Sequence, residues 1–392
     1  MTRDAISRQN RTEGEPHDCM VSRATSHATT AFIPQMEPVV SDADVSAVNA
    51  YMRSGGWLTE FEQTRRFEQQ ISDFTGAQHC AVAPSGTLAL FLALAACGVG
   101  RDDEVIVPDL TMAATATAVL LAGGKVVFAD IEPNTFCLDI SRVEELITPR
   151  TKAIVFVSLN GRSPGNLADV VTRWQRRGVR VIEDAAQALG SYVGGRHLGT
   201  LGDCGCLSFS SQKIVTTGQG GAVVTSDEQV HATMRLLRDF GRTAGGTDRY
   251  LRVGWNLKFT DLQAVIGIEQ LRRLPTLIEK KRQLFGWYRE QLGGVIEVSL
   301  PRTDLTQVTP WFVDVLVEED VRDRLAEHLR QAGIGTRPCY PALHAEPAFG
   351  VDASFPVAEE TSARILWLPS SLRLGQDDVA RICDAIRAFY RS

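Results

Sequence analysis

Three short segments of the chain place reactive side chains beside glycine-rich backbone. Glu183-Asp184 ends a short apolar run, a small hydroxyl stands at Ser208, and Lys213 leads into Thr217-Gly-Gln-Gly-Gly221. A lysine that forms a Schiff base, with a carboxylate to pair with a pyridinium nitrogen, is the minimum set of groups for pyridoxal phosphate (PLP) chemistry. The segments therefore predict that Lys213 and Asp184 are catalytic groups that contact PLP.

Each of these signals also has an ordinary structural interpretation. Most lysines are solvated surface groups, and Asp184 could cap a helix that starts at Ala185. On such a helix Gln187 would lie on the same face as Asp184, within reach of the ring hydroxyl of a cofactor. A lysine buried beside a cofactor has a lowered pKa, which an imine-forming amine needs. Ser208 would add a contact to the phosphate.

Ser85-Gly86-Thr87 lies between a predicted strand and a predicted helix. Free N–H groups and the dipole make a helix N-terminus suitable for a phosphate, although serine and threonine are also common N-caps. The segment has neither a Walker lysine nor a G-x-G-x-x-G pattern after the first strand. Hydrolysis of nucleoside triphosphates and dinucleotide binding are therefore disfavoured.

Short apolar strands alternate with helices through the first part of the chain. The predicted strands cover residues 80–84, 104–108, 125–129, 153–157 and 179–182. Apolar strands that alternate with helices indicate an α/β fold with a mostly parallel sheet, whose ligands bind at the carboxyl ends of the strands. Residues 206–209 and 222–225 are predicted as a hairpin-like pair around the lysine loop.

After about residue 261 the pattern changes to helical segments, at 262–289 with a break at Pro275, at 321–332 and at 376–390, with a strand at 311–317. The predicted organisation is a large PLP-binding α/β domain over 31–270 and a smaller α+β domain over 271–392. Residues 1–30 are polar, carry mixed charge and lack the apolar core of a signal peptide. They are predicted to be a disordered extension.

The composition is that of a soluble globular protein. The 392 residues are 44% hydrophobic and 22% charged, with a net charge of −6 and no basic stripe that would suit nucleic acid. Apolar runs such as 113–122 are too short to span a membrane. The eight cysteines form no C-x-x-C pair, so we expect buried, reduced thiols in a cytoplasmic protein and no metal site.

Four motifs, in this order, resemble those of the DegT/DnrJ/EryC1/StrS family of PLP-dependent sugar aminotransferases. They are Glu183-Asp-Ala-Ala-Gln187, Gly199-x-x-Gly-Asp203, Ser208-Phe-x-x-x-Lys213 and Gly218-Gln-Gly-Gly221. The resemblance runs from about residue 33 to the C-terminus. It implies a fold-type I aminotransferase, which is a homodimer whose active sites are shared between two chains.

Within that family the chain is most similar to the members that convert GDP-4-keto-6-deoxymannose to GDP-perosamine with L-glutamate as amino donor. The segments that carry this similarity are Gly56-Trp-Leu-Thr-Glu-Phe61, Leu159-Asn-Gly-Arg-Ser163, Arg238-Asp-Phe-Gly-Arg242, Trp255-Asn-Leu-Lys-Phe-Thr-Asp261 and Thr336-Arg-Pro338. The same reaction on a 3-keto sugar nucleotide, or on a cyclic ketone of a natural product, remains an alternative. So does a PLP reaction other than transamination, or a non-catalytic sugar-nucleotide-binding protein on the same fold.

The resemblance also assigns roles to individual residues. Lys213 would hold the cofactor and shuttle protons, Asp184 would pair with the pyridine nitrogen, and Gln187 would contact the ring hydroxyl. Contacts with the phosphate are implied for Gly86, Thr87 and Ser208, and for Asn256 of the neighbouring subunit. Met112 stands where many relatives stack an aromatic residue on the cofactor ring, and its sulfur can cover that ring. Substrate contacts are implied for Trp57, Thr59, Arg337 and His344, although His344 has the alternative of a satisfied structural histidine. Because the substrate would carry a diphosphate, the basic Arg162, Arg242 and Lys258 are further candidates, as is Tyr340.

Overall fold

The computed structural model describes residues 31–243 and 248–391. The extension predicted over 1–30 lies outside these described residues. From Phe32 onward the chain packs as one unit, and the domain boundary near residue 270 stays a prediction. Within the described ranges, no helix combines the length and the apolar character needed to cross a membrane.

The central sheet has seven strands in the spatial order β1-β9-β8-β5-β4-β2-β3. These strands are β1 (His79–Ala83), β2 (Glu104–Pro108), β3 (Lys125–Ala129), β4 (Thr151–Val157), β5 (Arg180–Asp184), β8 (Cys204–Ser208) and β9 (Gly221–Thr225). A two-residue hairpin, β6 (Tyr192–Val193) and β7 (Arg196–His197), separates β5 from β8. Because β9 is antiparallel to both of its neighbours and the other pairs are parallel, the predicted mostly parallel sheet is confirmed.

Helices cover both faces of the sheet. The helices of this region are α1 (Asp42–Arg53), α2 (Glu62–Thr75), α3 (Gly86–Ala96), α4 (Ala114–Leu121), α5 (Ile140–Leu146), α6 (Leu167–Arg176), α7 (Glu228–Arg238) and α8 (Asp261–Arg272). One apolar cluster joins a sheet face to α2, α6 and α8, and the other joins the opposite face to α3, α4 and α7. Successive residues of each strand point to opposite faces and pack alternately into the two clusters. Because both sets of positions are apolar, each strand is a continuous apolar run in the sequence.

A smaller three-stranded sheet follows, with β12 (Ile365–Leu368) between β10 (Val313–Leu316) and β11 (Arg337–Pro338). The accompanying helices are α9 (Leu274–Leu292), α10 (Glu319–Gln331), α11 (Pro356–Arg364) and α12 (Gln376–Arg391). Pro275 lies in the first turn of α9, where its missing N–H costs no helical hydrogen bond. The helical run predicted over 262–289 is therefore two helices, α8 and α9.

One local prediction is wrong. No helix starts at Ala185; after β5 the backbone forms turns, and the Ala188 amide donates to the Ala185 carbonyl. Asp184 caps this turn instead, because its carboxylate accepts a hydrogen bond from the Ala186 amide at 3.2 Å. The position of Gln187 is therefore set by this turn and not by the face of a helix.

Candidate active site

The predicted reactive residues meet at one edge of the central sheet. Asp184 ends β5 and Ser208 ends β8, while Gly86 follows the carboxyl end of β1. These strands run in the same direction, so their carboxyl ends share an edge. The single antiparallel strand, β9, begins at that edge with Gly221. The sheet topology thus brings together segments that are far apart in sequence.

Asp184 is a buried carboxylate with two fixed hydrogen bonds. Thr115 donates its hydroxyl to Asp184 Oδ2 at 2.9 Å, and the Ala186 amide donates to Oδ1. Burial raises the pKa of Asp184, whereas these hydrogen bonds and the charge of Lys213 act in the opposite direction. A cation placed against this carboxylate, such as a protonated pyridine nitrogen, would favour its charged form.

Lys213 projects into the same site and lies against an aromatic face. Its Nζ is 3.6 Å from the centroid of the Trp311 ring, a cation–π contact. Trp311 is held in place because its indole N–H donates to the Gln212 carbonyl at 2.9 Å. Burial lowers the pKa of Lys213 to about 7, and the Asp184 carboxylate opposes that shift. Near neutral pH a substantial fraction of the amine is therefore uncharged and nucleophilic.

This pKa gives an expected pH dependence for attachment of the cofactor. When protein stripped of PLP is mixed with PLP, the rate of linkage should rise with pH through about 7, as Lys213 loses its proton, and then level off. An exposed lysine would still be gaining neutral amine up to about pH 10. Stopped-flow absorbance at a series of pH values measures the profile. A rate that keeps climbing above pH 9 or so would contradict the lowered pKa.

The predicted phosphate-binding turn lies opposite these groups. Ser85 caps α3 by accepting a hydrogen bond from the Leu88 amide at 3.2 Å, so the capping interpretation of Ser85 is correct. The amides of Gly86 and Thr87 occupy the first positions of α3, where the helix itself provides no acceptor. A Cβ on Gly86 would lie 3.1 Å from the Ser208 Cβ, so glycine lets the helix start approach that hydroxyl. The turn combines amides, hydroxyls and a helix dipole, which is the donor set that a phosphate requires.

Gly221 keeps this turn in position, and Gly221→Ala should disrupt it. A Cβ at residue 221 would lie 2.5 Å from the Ser85 carbonyl oxygen and 2.8 Å from the Gly86 nitrogen, so the backbone of the turn must move. We expect PLP affinity to fall by about tenfold or more, as backbone donors are displaced from the phosphate. Fluorescence titration with PLP measures the change. Gly286→Ala, where a Cβ meets nothing within 4 Å, is the matched control; equal affinities in the two variants would contradict this account.

The turn, Asp184 and Lys213 border a cavity of about 290 Å³, named the cofactor cavity. Its lining comprises Ser85, Gly86, Thr87, Leu90, Met112, Ala114, Asp184, Ala186, Ser208, Ser210, Gln212, Lys213, Gln219, Trp311, Arg337 and Tyr340. These residues fit PLP: phosphate donors at one side, a carboxylate for the ring nitrogen, and an amine with a lowered pKa for the aldehyde. The half-exposed Met112 also lines the cavity, and its sulfur accepts a hydrogen bond from the Ala114 amide at 3.0 Å.

Gln187 is buried but is not among the cavity-lining residues. Its Oε1 accepts a hydrogen bond from the Asn160 amide at 2.8 Å, and its Nε2 donates to the Tyr340 hydroxyl at 3.3 Å. Tyr340 does line the cavity, so Gln187 is linked to the cavity only through its hydrogen bond to Tyr340. A direct contact between Gln187 and the ring hydroxyl stays a prediction.

The predicted substrate residues do not gather in one place. Arg337 lines the cofactor cavity, with its guanidinium 5.4 Å from the centroid of the Trp367 ring. His344 is buried away from that cavity and bonds Asp109 through Nδ1 at 2.7 Å. Its second nitrogen lies 3.4 Å from a Glu359 oxygen. For His344 the structure therefore favours the alternative of a satisfied structural histidine.

Trp57 lies in a second cavity, of about 700 Å³, together with Arg242 and Lys258. The other residues that line it are Glu60, Arg65, Ala232, Arg235, Leu236, Arg238, Asp239 and Thr243. Asp239 accepts hydrogen bonds from Arg242 at 2.6 Å and from Lys258 at 2.9 Å. Five basic and two acidic side chains line this second cavity, and Glu68, outside the lining, pairs with Arg235 and Arg238. Thr59 and Asn256 are exposed and line neither cavity.

Arg162 is a structural group, paired with Asp314 at 2.5 Å, and both side chains are buried. Removing one partner of a buried pair leaves an uncompensated charge, so Arg162→Ala should lower the free energy of unfolding by about 3–5 kcal/mol. Urea denaturation measures the loss. The exposed pair of Arg142 and Glu145 supplies the control, since Arg142→Ala should cost about 1 kcal/mol or less. An Arg162→Ala variant as stable as that control would contradict the structural role.

Two residues of the site were missed by sequence reasoning. Trp311 was assigned only to a strand, and Thr115 only to an apolar run. A tryptophan beside a proline and a threonine in an alanine-rich helix carry no pattern that points to Lys213 or Asp184. The contacts exist because the chain folds segments from different elements onto one edge of the sheet.

Comparison with known proteins identifies the family to which the chain belongs. The profile of the DegT/DnrJ/EryC1/StrS aminotransferase family matches residues 38–387. The GDP-perosamine synthase of Caulobacter vibrioides is 37% identical over 82% of this chain and 88% of its own. UDP-N-acetyl-3-dehydro-alpha-D-glucosamine 3-aminotransferase of Acidithiobacillus ferrooxidans is 36% identical over 83% of this chain and 88% of its own. The crystal structure of the aminotransferase TlmJ from Streptoalloteichus hindustanus superposes with a TM-score of 0.87 at 32% identity, covering 92% of this chain and 99% of that one.

Proposed function

The chain belongs to the DegT/DnrJ/EryC1/StrS aminotransferase family, and we propose that it converts GDP-4-keto-6-deoxymannose to GDP-perosamine with L-glutamate as amino donor. Family membership makes it a PLP-dependent sugar aminotransferase. The observation that carries the proposal is that Lys213 and Asp184 line one cavity beside a phosphate-binding turn. The choice of ketone rests on the similarity to GDP-perosamine synthases.

Different residues of the cofactor cavity would bind different parts of PLP. The amides of Gly86 and Thr87 and the hydroxyl of Ser208 would bind the phosphate, and Asp184 would keep the pyridine nitrogen protonated. Bound in this way, PLP supplies an electron sink for a carbanion. Because Thr115 and the Ala186 amide fix the carboxylate of Asp184, its orientation does not depend on the cofactor.

Lys213 would act as the general acid and base of both half-reactions. Its neutral Nζ would take the proton from the α-carbon of L-glutamate and give it to the bound cofactor in the first half-reaction. In the second it would take a proton back from the cofactor and give it to the sugar carbon that receives the amino group. The face of Trp311, 3.6 Å away, stabilises the amine whenever it is protonated and keeps it inside the cavity. The pKa of about 7 lets the same group take up and release a proton near neutral pH.

The second cavity would bind the nucleotide diphosphate. It offers Arg242 and Lys258 as cations and the exposed ring of Trp57 as a stacking surface. Arginine is well suited to phosphate because its donors form a planar fork. This cavity does not share lining residues with the cofactor cavity of the same chain, so its role requires a neighbouring subunit.

A dimer with shared sites is therefore part of the proposal. Large apolar side chains are exposed along the segments around the second cavity: Trp57, Leu58, Phe61, Phe240, Tyr250, Leu251, Val253 and Trp255. Exposed apolar surface of this kind is typical of an interface. The exposed Asn256 follows directly after Trp255, where it could reach the phosphate of a partner.

Complementation between inactive variants tests the shared site. In a mixed dimer of Lys213→Ala and Asn256→Asp chains, one site would carry both changes and the other would be native, so activity should return on mixing. If every site were built from a single chain, both sites would be damaged and mixing would restore nothing. Light scattering of the unaltered protein establishes whether the dimer forms at all.

A second candidate substrate has its own support. The 36% identical relative from A. ferrooxidans is a 3-aminotransferase named for a UDP-linked sugar. Amination of a UDP-linked 3-keto sugar would use the same Lys213 and Asp184 chemistry, with a different ketone position, nucleotide base and set of sugar substituents.

The function is tested one half-reaction at a time. PLP-loaded protein with L-glutamate alone should release 2-oxoglutarate in an amount equal to the active sites. Addition of GDP-4-keto-6-deoxymannose should then yield GDP-perosamine, identified by mass spectrometry and sugar analysis. Amination of UDP-N-acetyl-3-dehydroglucosamine in its place would favour the second candidate. Failure to release 2-oxoglutarate would overturn glutamate as the donor.

A reducing, cytoplasmic location is also proposed. The seven cysteines of the described residues are free and buried. The sulfur atoms of Cys97 and Cys204 are 3.8 Å apart, and the two thiols form no disulfide. Unlinked neighbouring thiols are typical of proteins kept reduced.

A further inference from the structure

Three metal-ligating side chains from two elements meet at the outer edge of the central sheet. His79 is the first residue of β1, the edge strand, and Glu228 and His231 lie in the first turn of α7. One ligand atom of each residue lies within 4.8 Å of those of the other two. No residue of this group lines the cofactor cavity or the second cavity.

One distance within this His-Glu-His cluster is close to that between two ligands of a zinc site. His79 Nε2 lies 3.1 Å from Glu228 Oε2, and two ligands of a tetrahedral Zn²⁺ at about 2.0–2.1 Å are separated by about 3.3 Å. The His79 and His231 rings stack with centroids 4.5 Å apart and an angle of 6° between their planes. The ligand atom of His231 lies within 4.8 Å of those of His79 and Glu228, so binding of one ion by all three requires the His231 ring to turn out of this stack.

The start of α7 fixes the backbone positions of two of the ligands. Glu228 and His231 are three residues apart on a helix, so they face the same side. Asp227 fixes the start of α7 by accepting hydrogen bonds from the Gln229 and Val230 amides. Two imidazoles and a carboxylate are a ligand set that Zn²⁺ uses, with water in the fourth position.

The helix face that carries these ligands continues toward the second cavity. Arg235 and Arg238 follow on that face; both bond Glu68, and Arg238 also donates to the Val82 carbonyl of β1. An ion at the first turn of α7 would add a further link between α7 and β1. That link would restrain the strand that leads into the phosphate-binding turn.

We infer that His79, Glu228 and His231 form a Zn²⁺ site that fastens α7 to the edge strand β1. The inference does not depend on which ketone the protein aminates. Nothing in the cysteine spacing points to it, because its ligands come from two segments that only the fold brings together.

Calorimetric titration of the full-length, PLP-loaded protein with Zn²⁺, after dialysis against a chelator, tests the site. We expect one ion per chain and a higher midpoint of thermal unfolding with Zn²⁺ than without. His79→Asn, Glu228→Gln and His231→Asn should each weaken binding by about tenfold or more, since each removes one of three protein ligands, and should abolish the thermal shift.

A control must account for the other possible ligands in the sequence. His17, Cys19 and His27 lie outside the described residues, so a variant with His17→Asn, Cys19→Ser and His27→Asn is titrated in parallel and should bind as the unaltered protein does. The inference is overturned if no Zn²⁺ binds. It is also overturned if the three cluster variants retain full affinity while the N-terminal variant loses it.

Discussion

Replacement of Lys213 by alanine is expected to have the largest effect of any single change on turnover. In the proposed mechanism Lys213 both attaches the cofactor and acts as general acid and base, and loss of a general acid–base group alone costs about 10²–10⁴-fold in rate. We expect kcat to fall at least that far. PLP should still bind through the Gly86 turn, so the protein should retain cofactor without the absorbance of lysine-linked PLP.

The matched control is a second buried lysine with a similar pKa. Burial lowers the pKa of Lys281 to about 7, as it does for Lys213. Lys281 donates to the carbonyls of Trp311 at 2.8 Å and Ser370 at 2.5 Å, and it lies outside the cofactor cavity. Lys281→Met should lower stability and keep the absorbance of lysine-linked PLP. If Lys213→Ala retained normal turnover, the assignment of the catalytic lysine would be wrong.

Conversion of Asp184 to asparagine is expected to have the second largest effect. Asparagine keeps the shape of the side chain and can still accept the Thr115 hydrogen bond, but it removes the negative charge that would pair with the pyridine nitrogen. Loss of one preorganised electrostatic partner costs about 10²–10³-fold in kcat. Steady-state kinetics with saturating PLP separate this effect from weaker cofactor binding.

Glu183 provides a neighbouring carboxylate for comparison. It precedes Asp184 on β5, so its side chain points to the opposite face of the sheet. There it accepts backbone hydrogen bonds from Gly199, Leu201 and Gly202 at 2.6 to 2.8 Å. Glu183→Gln should lower the free energy of unfolding and leave kcat within about twofold. Equal losses of kcat in Glu183→Gln and Asp184→Asn would show that the effect is structural and not a property of the site.

Much of the fold could be predicted from the sequence because the strands are buried on both faces. The strands at 104–108 and 125–129 were predicted with the bounds that β2 and β3 have. The helix expected at Ala185 failed because Asp184 closes a tight turn with the Ala186 amide, a local hydrogen bond that competes with a helix. The strand order, with β9 reversed between β1 and β8, depends on long-range pairing that no local pattern records.

Some residues of the site could likewise be predicted from the sequence and others could not. Asp184, Ser208 and the Gly86 turn lie at strand ends, and Lys213 lies in the loop that joins β8 to β9, so their meeting follows from strand ends that share an edge. Trp311 reaches Lys213 from the segment that precedes β10, and its approach depends on how the two sheets pack. Asn256, predicted to act in a neighbouring subunit, is exposed in the single chain.

Borohydride reduction of the PLP-loaded protein, followed by peptide mass spectrometry, tests the central claim most directly. Reduction fixes PLP to the amine that carries it, and digestion identifies the modified residue. The account predicts the phosphopyridoxyl group on Lys213, and its loss when L-glutamate is added before reduction. A label on Lys258, Lys281 or any other lysine, with Lys213 unmodified, would contradict the account.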